Sequence, residues 1–411
     1  MIFLPLGTQL APKKKPIVTI GIILLNTLIY FYLNSLDQEE QWGTILFYGW
    51  VPKEPNLSGL LCSGFIHLEG LHLLANMIYL WTFGAYLETV IGWKRFLVYY
   101  LGADWAGNFL YAFMTAVYYP GSFSSHSIGA SGAVSGIMAV CLIRCYYNKI
   151  YVGVSLFGLF SFIPKRFGVP AVIFIGDYIL ENFYWGFSTL GDPYVRICHW
   201  AHIGGFLFGA AAGIGLKEHL QARLDHCRLR ADYWLRKGMG LDQVRQDLQT
   251  IVQGDPRDAW AMVDLARVES KNEQREKGLE LYRRAILTFW KHGERQWAAM
   301  IFAEFFRKYC PVTFGLLPFG LCRELIRMGE PEIAARALKQ FIEERKGRPQ
   351  GRYAFRLETA YWLLAELLGE KLNQPRSAGK VWQASLGRFP ESGYREAAEK
   401  KLRLMAQAAL A

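Results

Sequence analysis

The chain has 411 residues, a formal net charge of +11 and a mean hydropathy of +0.11, which averages two unlike halves: long apolar runs up to about residue 217, then a stretch rich in Arg, Lys and Glu. This length accommodates two or three domains. The basic residues are not interleaved with aromatics in a compact module, which argues against nucleic acid as a partner. The cysteines at 62, 141, 145, 198, 227, 310 and 322 lack the CxxC pairs of a zinc site and imply no disulfide framework.

The first residues, MIFLPLGTQLAPKKKP, have too short an apolar start and no small-residue cleavage site for a secretory signal. Lys13, Lys14 and Lys15 are expected to hold this end in the cytoplasm. A bilayer core of roughly 30 Å needs about 20 apolar residues in a helix. Six stretches qualify, approximately Pro16 to Leu36, Glu69 to Val90, Trp93 to Tyr118, Gly129 to Tyr147, Gly168 to Phe187 and Trp200 to Leu216. A further run, Tyr151 to Ile163, is short and ends at Pro164, and reads as an interfacial or re-entrant connector. Cys141 and Cys145 fall four apart on the fourth stretch and read as small packing residues.

Loop charges give an independent count. Lys94 and Arg95 follow the second stretch, Lys149, Lys165 and Arg166 the fourth, and Lys217, Arg223, Arg228 and Arg230 the sixth. The alternate loops carry Asp37, Glu39, Glu40 and Glu54 with Lys53, then nothing charged from Pro120 to Ile128, then Asp192 with Arg196. Basic loops therefore fall on one side, consistent with six spans and both termini inside.

Beyond the sixth stretch the pattern becomes amphipathic and helical, in AWAMVDLARV, GLELYRRAILTF, EIAARALKQFI and AYWLLAELLG, with polar connectors QGDPRD and HGERQ. Leu281, Tyr282, Ala285 and Phe289, and likewise Ala378, Trp382, Ala384 and Pro390, look like the second helix of a tetratricopeptide-type repeat whose period is loosely kept. An irregular helical bundle or α-solenoid is the alternative. The expected organisation is a membrane domain over 1–217, a helical linker over 218–250 and a cytoplasmic helical domain over 251–411. The expected class is all-α throughout.

Polar residues are costly in a bilayer and tend to be functional there. His72 and Asn76, four apart, share a helix face on the second stretch. Ser131 begins the fourth between Gly129 and Gly132, and His202 lies near the start of the sixth. All three stretches run from outside to inside, so these residues share one depth. Ser131 needs a base in hydrogen-bond reach, and His202 supplies one that later protonates a leaving amine. With no carboxylate obviously placed to orient His202, a dyad is the economical reading. An oxyanion could draw on Asn76, His72 and the Ser131 backbone N–H. Gly205, Gly209 and Gly213 on the sixth stretch, with Gly132 and Gly136 on the fourth, give smooth faces for close approach.

His-x-x-x-Asn at 72–76, Gly129-Ala130-Ser131-Gly132, and Ala201-His202-Ile203-Gly204-Gly205, in this order on three membrane stretches, resemble the hallmarks of the rhomboid intramembrane proteases. The resemblance covers residues 1 to about 217. It implies a six-helix rhomboid bundle in which Ser131 is the nucleophile, His202 the general base and His72 with Asn76 the oxyanion-side residues. It also implies cleavage of the transmembrane helices of other proteins, without metal or cofactor. Some members carry an aromatic residue four after the nucleophile that packs on the histidine, whereas this chain has Ser135. The first outer loop, Asp37 to Leu68, contains aromatics and is expected at the outer interface.

His67 and His199 read as interfacial rather than catalytic. Asp177 with Glu181, and Asp104 with Asn108, read as hydrogen-bonding pairs directed to the interior or the wet connector rather than as an ion path. A proteolytically dead rhomboid-like scaffold is the alternative function, although it would be expected to lose Ser131 or His202. A transporter would show inverted repeats, which are not seen. The partners expected are transmembrane substrates, the lipid bilayer and a cytoplasmic protein or peptide for the C-terminal domain. The membrane expected is a bacterial inner membrane.

Overall fold

The computed structural model describes residues 2–10, 12, 14–118, 126–155, 167–190, 199–271, 274–309, 319–345 and 354–410. Lys13, Lys165, Arg166, Asp192, Arg196, Cys198 and Cys310 lie outside the described residues, as does much of the stretch before Ser131. The chain divides into two compact units, Met1–His226 and Cys227–Ala411, and is mostly helical.

In the first unit β1 (Ile2–Thr8) precedes α1 (Ile17–Ser35), α2 (Gln38–Tyr48) and α3 (Leu57–Cys62). Next come α4 (Gly70–Ile91), which contains one π-helical turn at Leu80–Gly84, then α5 (Trp93–Tyr118) and α6 (Ser131–Arg144). Strands β2 (Lys149–Ser155) and β3 (Phe167–Pro170) lead to α7 (Ala171–Ser188) and α8 (His199–Gly215). Helices α1 and α4–α8 occupy the six apolar stretches. By length and apolarity alone, one helix among the described residues, α1, is sufficient to cross a membrane. A second would qualify if Leu57–Phe65 and Gly70–Ile91, bent by 83°, form one span. Helix α6 is apolar but short, and α5 carries Lys94, Arg95 and Asp104.

The mostly helical chain agrees with the all-α expectation, with one addition: β1, β2 and β3 form an antiparallel sheet in that order. The connector expected over Tyr151 to Ile163 enters this sheet as part of β2, and its residues from 156 onward lie outside the described residues. The fifth apolar stretch starts as strand, with helix from Ala171. Ile150 and Val152 are buried on one face of β2, and the Thr82 hydroxyl donates to the Pro5 carbonyl at 2.9 Å, which ties β1 to α4. A strand buries alternate side chains, and seven residues with that pattern are too few to be told from a short apolar helix.

The outer loop folds into α2 and α3. The Asp37 carboxylate caps α2 by accepting from Glu40 N, and Asn56 caps α3 by accepting from Gly59 N. Trp42, Leu46, Phe47, Leu57 and Leu61 are exposed on these helices. At the other end of α6, Arg144 is buried and its guanidinium reaches Glu218 at 3.3 Å and Asp225 at 2.6 Å. Arg95 meets the same Glu218 at 2.8 Å. Cys141 and Cys145 are buried free thiols.

The unit boundary falls within α9 (Glu218–Lys237). The second unit continues with α10 (Leu241–Gly254), α11 (Ala259–Lys271), α12 (Arg275–Lys291), α13 (Arg295–Tyr309), α14 (Phe319–Arg327), α15 (Pro331–Glu343), α16 (Ala354–Glu366), α17 (Pro375–Arg388) and α18 (Arg395–Leu410). Residues 218–250, expected as a linker, form α9 and most of α10, and α10 buries Val244, Leu248 and Ile251 in the core of this unit. That core also holds Met262, Tyr282, Ile286, Phe302, Phe305 and Leu338. Each helix from α10 to α17 packs on its successor. Tyr282, Ala285, Phe289, Ala378 and Trp382 are buried as their spacing suggests, whereas Ala384 and Pro390 are exposed.

Candidate active site

The N-terminal half of α4 carries His72 and Asn76 one turn apart. Ser131 is the first residue of α6, so its backbone N–H is one of those that no helical carbonyl can accept, at the electropositive end of the helix. Gly129, just before, has φ +110°, and a Cβ there would lie 2.6 Å from His72 Cε1. Only glycine meets both conditions, so the Gly129-Ala130-Ser131 turn can close against the histidine of α4.

Helices α6 and α8 approach through glycine. A Cβ on Gly205 would lie 2.0 Å from the Gly132 carbonyl oxygen, and one on Gly209 would lie 2.3 Å from that of Gly136. On the other side of α8, a Cβ on Gly204 would lie 2.7 Å from the Ala106 oxygen of α5. Backbone therefore meets backbone along α8, one turn beyond His202.

A cavity of about 690 Å³ results. Its wall includes His72 and Asn76 from α4, Ser131 from α6, Tyr178 from α7 and His202 from α8, together with His126 and Ile128. All four residues singled out from the sequence thus line one space. Ser131, His72 and His202 are half-buried and Asn76 is buried. Among the described residues no hydrogen bond joins the Ser131 hydroxyl to His202. Such bonds are often long before substrate binds.

Residues behind the wall hold it in place. His67, expected at an interface, is fully buried, and its Nε2 accepts from the Ala130 backbone N–H at 3.3 Å. Because that N–H can only donate, Nε2 is an acceptor and the Asn76 amide, 3.1 Å away, donates to it as well. An amide nitrogen has two hydrogens, so Asn76 keeps one for a second acceptor. His67 thereby ties Asn76 to the turn that precedes Ser131.

Asn182 and Tyr178, four apart on α7, meet His202. Asn182 Oδ1 lies 2.7 Å from His202 Nδ1 and 3.2 Å from His199 Nδ1, so His199 belongs to this network rather than to an interface. The Tyr178 ring stacks on His202, with centroids 6.3 Å apart and planes at 30°. Ser135 donates to the Ser131 carbonyl at 2.8 Å and lies 2.8 Å from the Tyr178 hydroxyl, which must then be the donor to Ser135. The aromatic support absent at position 135 is supplied from α7.

The acidic pair one position earlier has no such role. Asp177 and Glu181 are exposed, so of the two directions expected the interior one does not apply. Asp104 and Asn108 are buried, with Asn108 donating to Ser63 Oγ at 3.3 Å and accepting from Ser127 Oγ at 3.0 Å. Asn108 thereby ties the segments that carry Ser63 and Ser127 to α5. Asn182 does carry a sequence signal, an amide four residues after a tyrosine on an apolar stretch, masked by the more conspicuous carboxylates beside it.

A serine, an imidazole and amide and backbone donors around a cavity form the inventory for acyl transfer. Residues 54–219 match the family model described as "Rhomboid domain". The chain is 29% identical over 212 residues to "Rhomboid protease GluP" of Bacillus subtilis, a match covering 50% of this chain and 36% of that protein. It is 29% identical over 191 residues to "Presenilin-associated rhomboid-like protein A, mitochondrial" of Danio rerio, covering 46% of this chain and 45% of that one. It is 27% identical over 179 residues to "Rhomboid protein 1, mitochondrial" of Saccharomyces cerevisiae, covering 43% and 46%. The matches span less than half the length of these curated relatives. These similarities support a rhomboid-family assignment, and rhomboid proteins are integral membrane proteins.

Proposed function

We propose that the first unit is a six-span rhomboid intramembrane serine protease acting on peptide bonds in or near the transmembrane segments of other membrane proteins. The observation that carries this reading is the single cavity lined by Ser131, His202, His72 and Asn76. Ser131 Oγ attacks the scissile carbonyl while its proton passes to His202 Nε2. The tetrahedral oxyanion takes hydrogen bonds from the Ser131 N–H, Asn76 and His72, and His202 returns the proton to the leaving amine. Water then repeats the sequence on the acyl-enzyme. No metal or cofactor enters these steps. A helical substrate has no free backbone carbonyl to offer, so it must unwind near the scissile bond, and helix-weakening residues there should speed cleavage.

The spans are α1 and α4–α8, with both termini cytoplasmic by the loop charges and a bacterial inner membrane as the site. The second unit, a tetratricopeptide-like array, binds a cytoplasmic protein or peptide. The test is incubation of the purified chain in liposomes with a panel of single-span proteins, beside Ser131→Ala. Cleavage that disappears with Ser131→Ala supports the reading. Wild-type protein that neither cleaves any substrate nor reacts at Ser131 with a fluorophosphonate would leave the dead scaffold in its place. Deleting residues 230–411 should narrow substrate choice in cells.

A further inference from the structure

We propose that Asn182 is the positioning residue for the general base, setting the tautomer and ring direction of His202 in an arrangement Ser131–His202–Asn182; this rests on the protease reading above. The Asn182 amide nitrogen donates to the Tyr178 carbonyl at 2.8 Å, one turn back on α7. That bond fixes which end of the amide is which, and its oxygen therefore points to the two histidines. An amide oxygen only accepts. At 2.7 Å from this oxygen, His202 Nδ1 must carry the proton of the neutral ring, which leaves the Nε2 lone pair to receive the proton of Ser131.

Burial makes this more than a surface contact. Asn182 is 7% exposed, and its oxygen has two lone pairs, enough for His202 and for the longer bond from His199. When His202 takes the serine proton it becomes an imidazolium, and its Nδ1–H bond to Oδ1 shortens and strengthens as a charge-assisted bond. The interaction is thus stronger at the transition state than in the resting enzyme, which is the condition for raising the rate. Tyr178 covers one face of the same ring, and its hydroxyl, through Ser135, reaches the carbonyl of Ser131. One turn of α7 therefore sets both the rotation and the tilt of the imidazole. The ionisable groups around His202 are His199, His72 and Tyr178, while Asp177 and Glu181 lie exposed on other faces of α7.

The experiment uses the full chain in liposomes, a single-span substrate cleaved by wild type, and fluorophosphonate labelling of Ser131. Asn182→Ala should lower kcat by about 10- to 100-fold, the cost of a reacting group misplaced by roughly 1 Å, while KM stays within about twofold. Asn182→Asp restores the acceptor and should recover most of the rate. Its carboxylate favours the protonated imidazole, so the acid limb of the kcat profile should move to higher pH, which a packing role would not produce. Should Asn182→Ala melt far below wild type, Asn182→Leu fills the space without an acceptor and carries the same expectation. Wild-type kcat in both Ala and Leu variants, or a loss that Asp does not rescue in a protein of normal melting temperature, overturns the proposal and leaves the protease reading intact. Wild type that is inert to both substrate and probe overturns that reading instead, and the proposal with it.

Discussion

Gly205→Ala tests whether the approach of α8 to α6 sets the site. The new Cβ would stand 2.0 Å from the Gly132 carbonyl oxygen and 2.8 Å from its carbon. Ordinary contact begins near 3.4 Å, so the two helices must part by roughly 1.4 Å at the crossing, since neither atom belongs to a side chain that could turn aside. Gly132 adjoins Ser131 and Gly205 lies about one turn from His202, so the separation falls between Ser131 and His202, the proposed nucleophile and base. Overpacking of this kind costs about 1–3 kcal/mol of stability, and a misplacement near 1 Å costs about 100-fold in rate. In detergent, the melting temperature should fall by several degrees and the cleavage rate by about two orders of magnitude. Gly215→Ala, with nothing within 4 Å of its Cβ, should match wild type in both. A Gly205→Ala protein with wild-type melting and wild-type rate would refute the argument, because the helices would then have room that the contact distances deny.

Three further perturbations probe other parts of the chain. Arg144→Met leaves Glu218, whose side chain is 1% exposed, with Arg95 as its remaining cation. Stranding a buried charge costs about 3–5 kcal/mol; with Arg95 still 2.8 Å from Glu218 the loss should be smaller, read as a shifted denaturation midpoint that Glu218→Gln in the same chain partly recovers. In the second unit, hydrogen bonds from Arg267 at 2.9 and 2.6 Å, and one from the Tyr282 hydroxyl at 2.6 Å, hold the Glu304 carboxyl below its usual range. A carboxylate depressed on folding lends stability that is present above its unfolded pKa and is lost as pH falls through the folded value. Stability of this unit should therefore drop on acidification below about pH 4, and less steeply in Glu304→Gln; parallel urea midpoints for the two proteins from pH 7 to pH 3 would contradict this. His67→Ala removes the acceptor shared by Ala130 N–H and Asn76. The rate should fall by about 10²-fold, the scale for a disturbed oxyanion donor, and an unchanged kcat would free His67 of any role.

Elements were more legible in the sequence than faces. Helix α5 begins at Trp93, where the apolar stretch begins, because Gly92 stops the helix before it with φ +85°. The sheet was invisible for a different reason: β1 and β2 pair across some 150 positions, and each is a short run whose period fits either structure. His72, Ser131 and His202, each near the start of its own apolar stretch, line one cavity, as the alternating directions of those stretches suggest.

Which side of a helix faces inward is a harder question when the helix is apolar all round. An amphipathic helix declares its buried stripe by polarity, as α10 and α12 do with Val244, Leu248, Tyr282 and Phe289. Helix α7 has no such stripe, so Asp177 and Glu181 attracted notice by charge while the residues that meet His202 are their successors, rotated by about 100°. Burial here is set by how close the neighbours come, and that is decided by glycine. Gly186 on α7 places its Cβ position 3.3 Å from Ile203 of α8, and Asn182 lies one turn before it on the same face. Gly186 thus lies on the packed side of α7, whereas Gly176 on the same helix has open space at its Cβ position, so contact and not glycine content marks the side on which Asn182 meets His202.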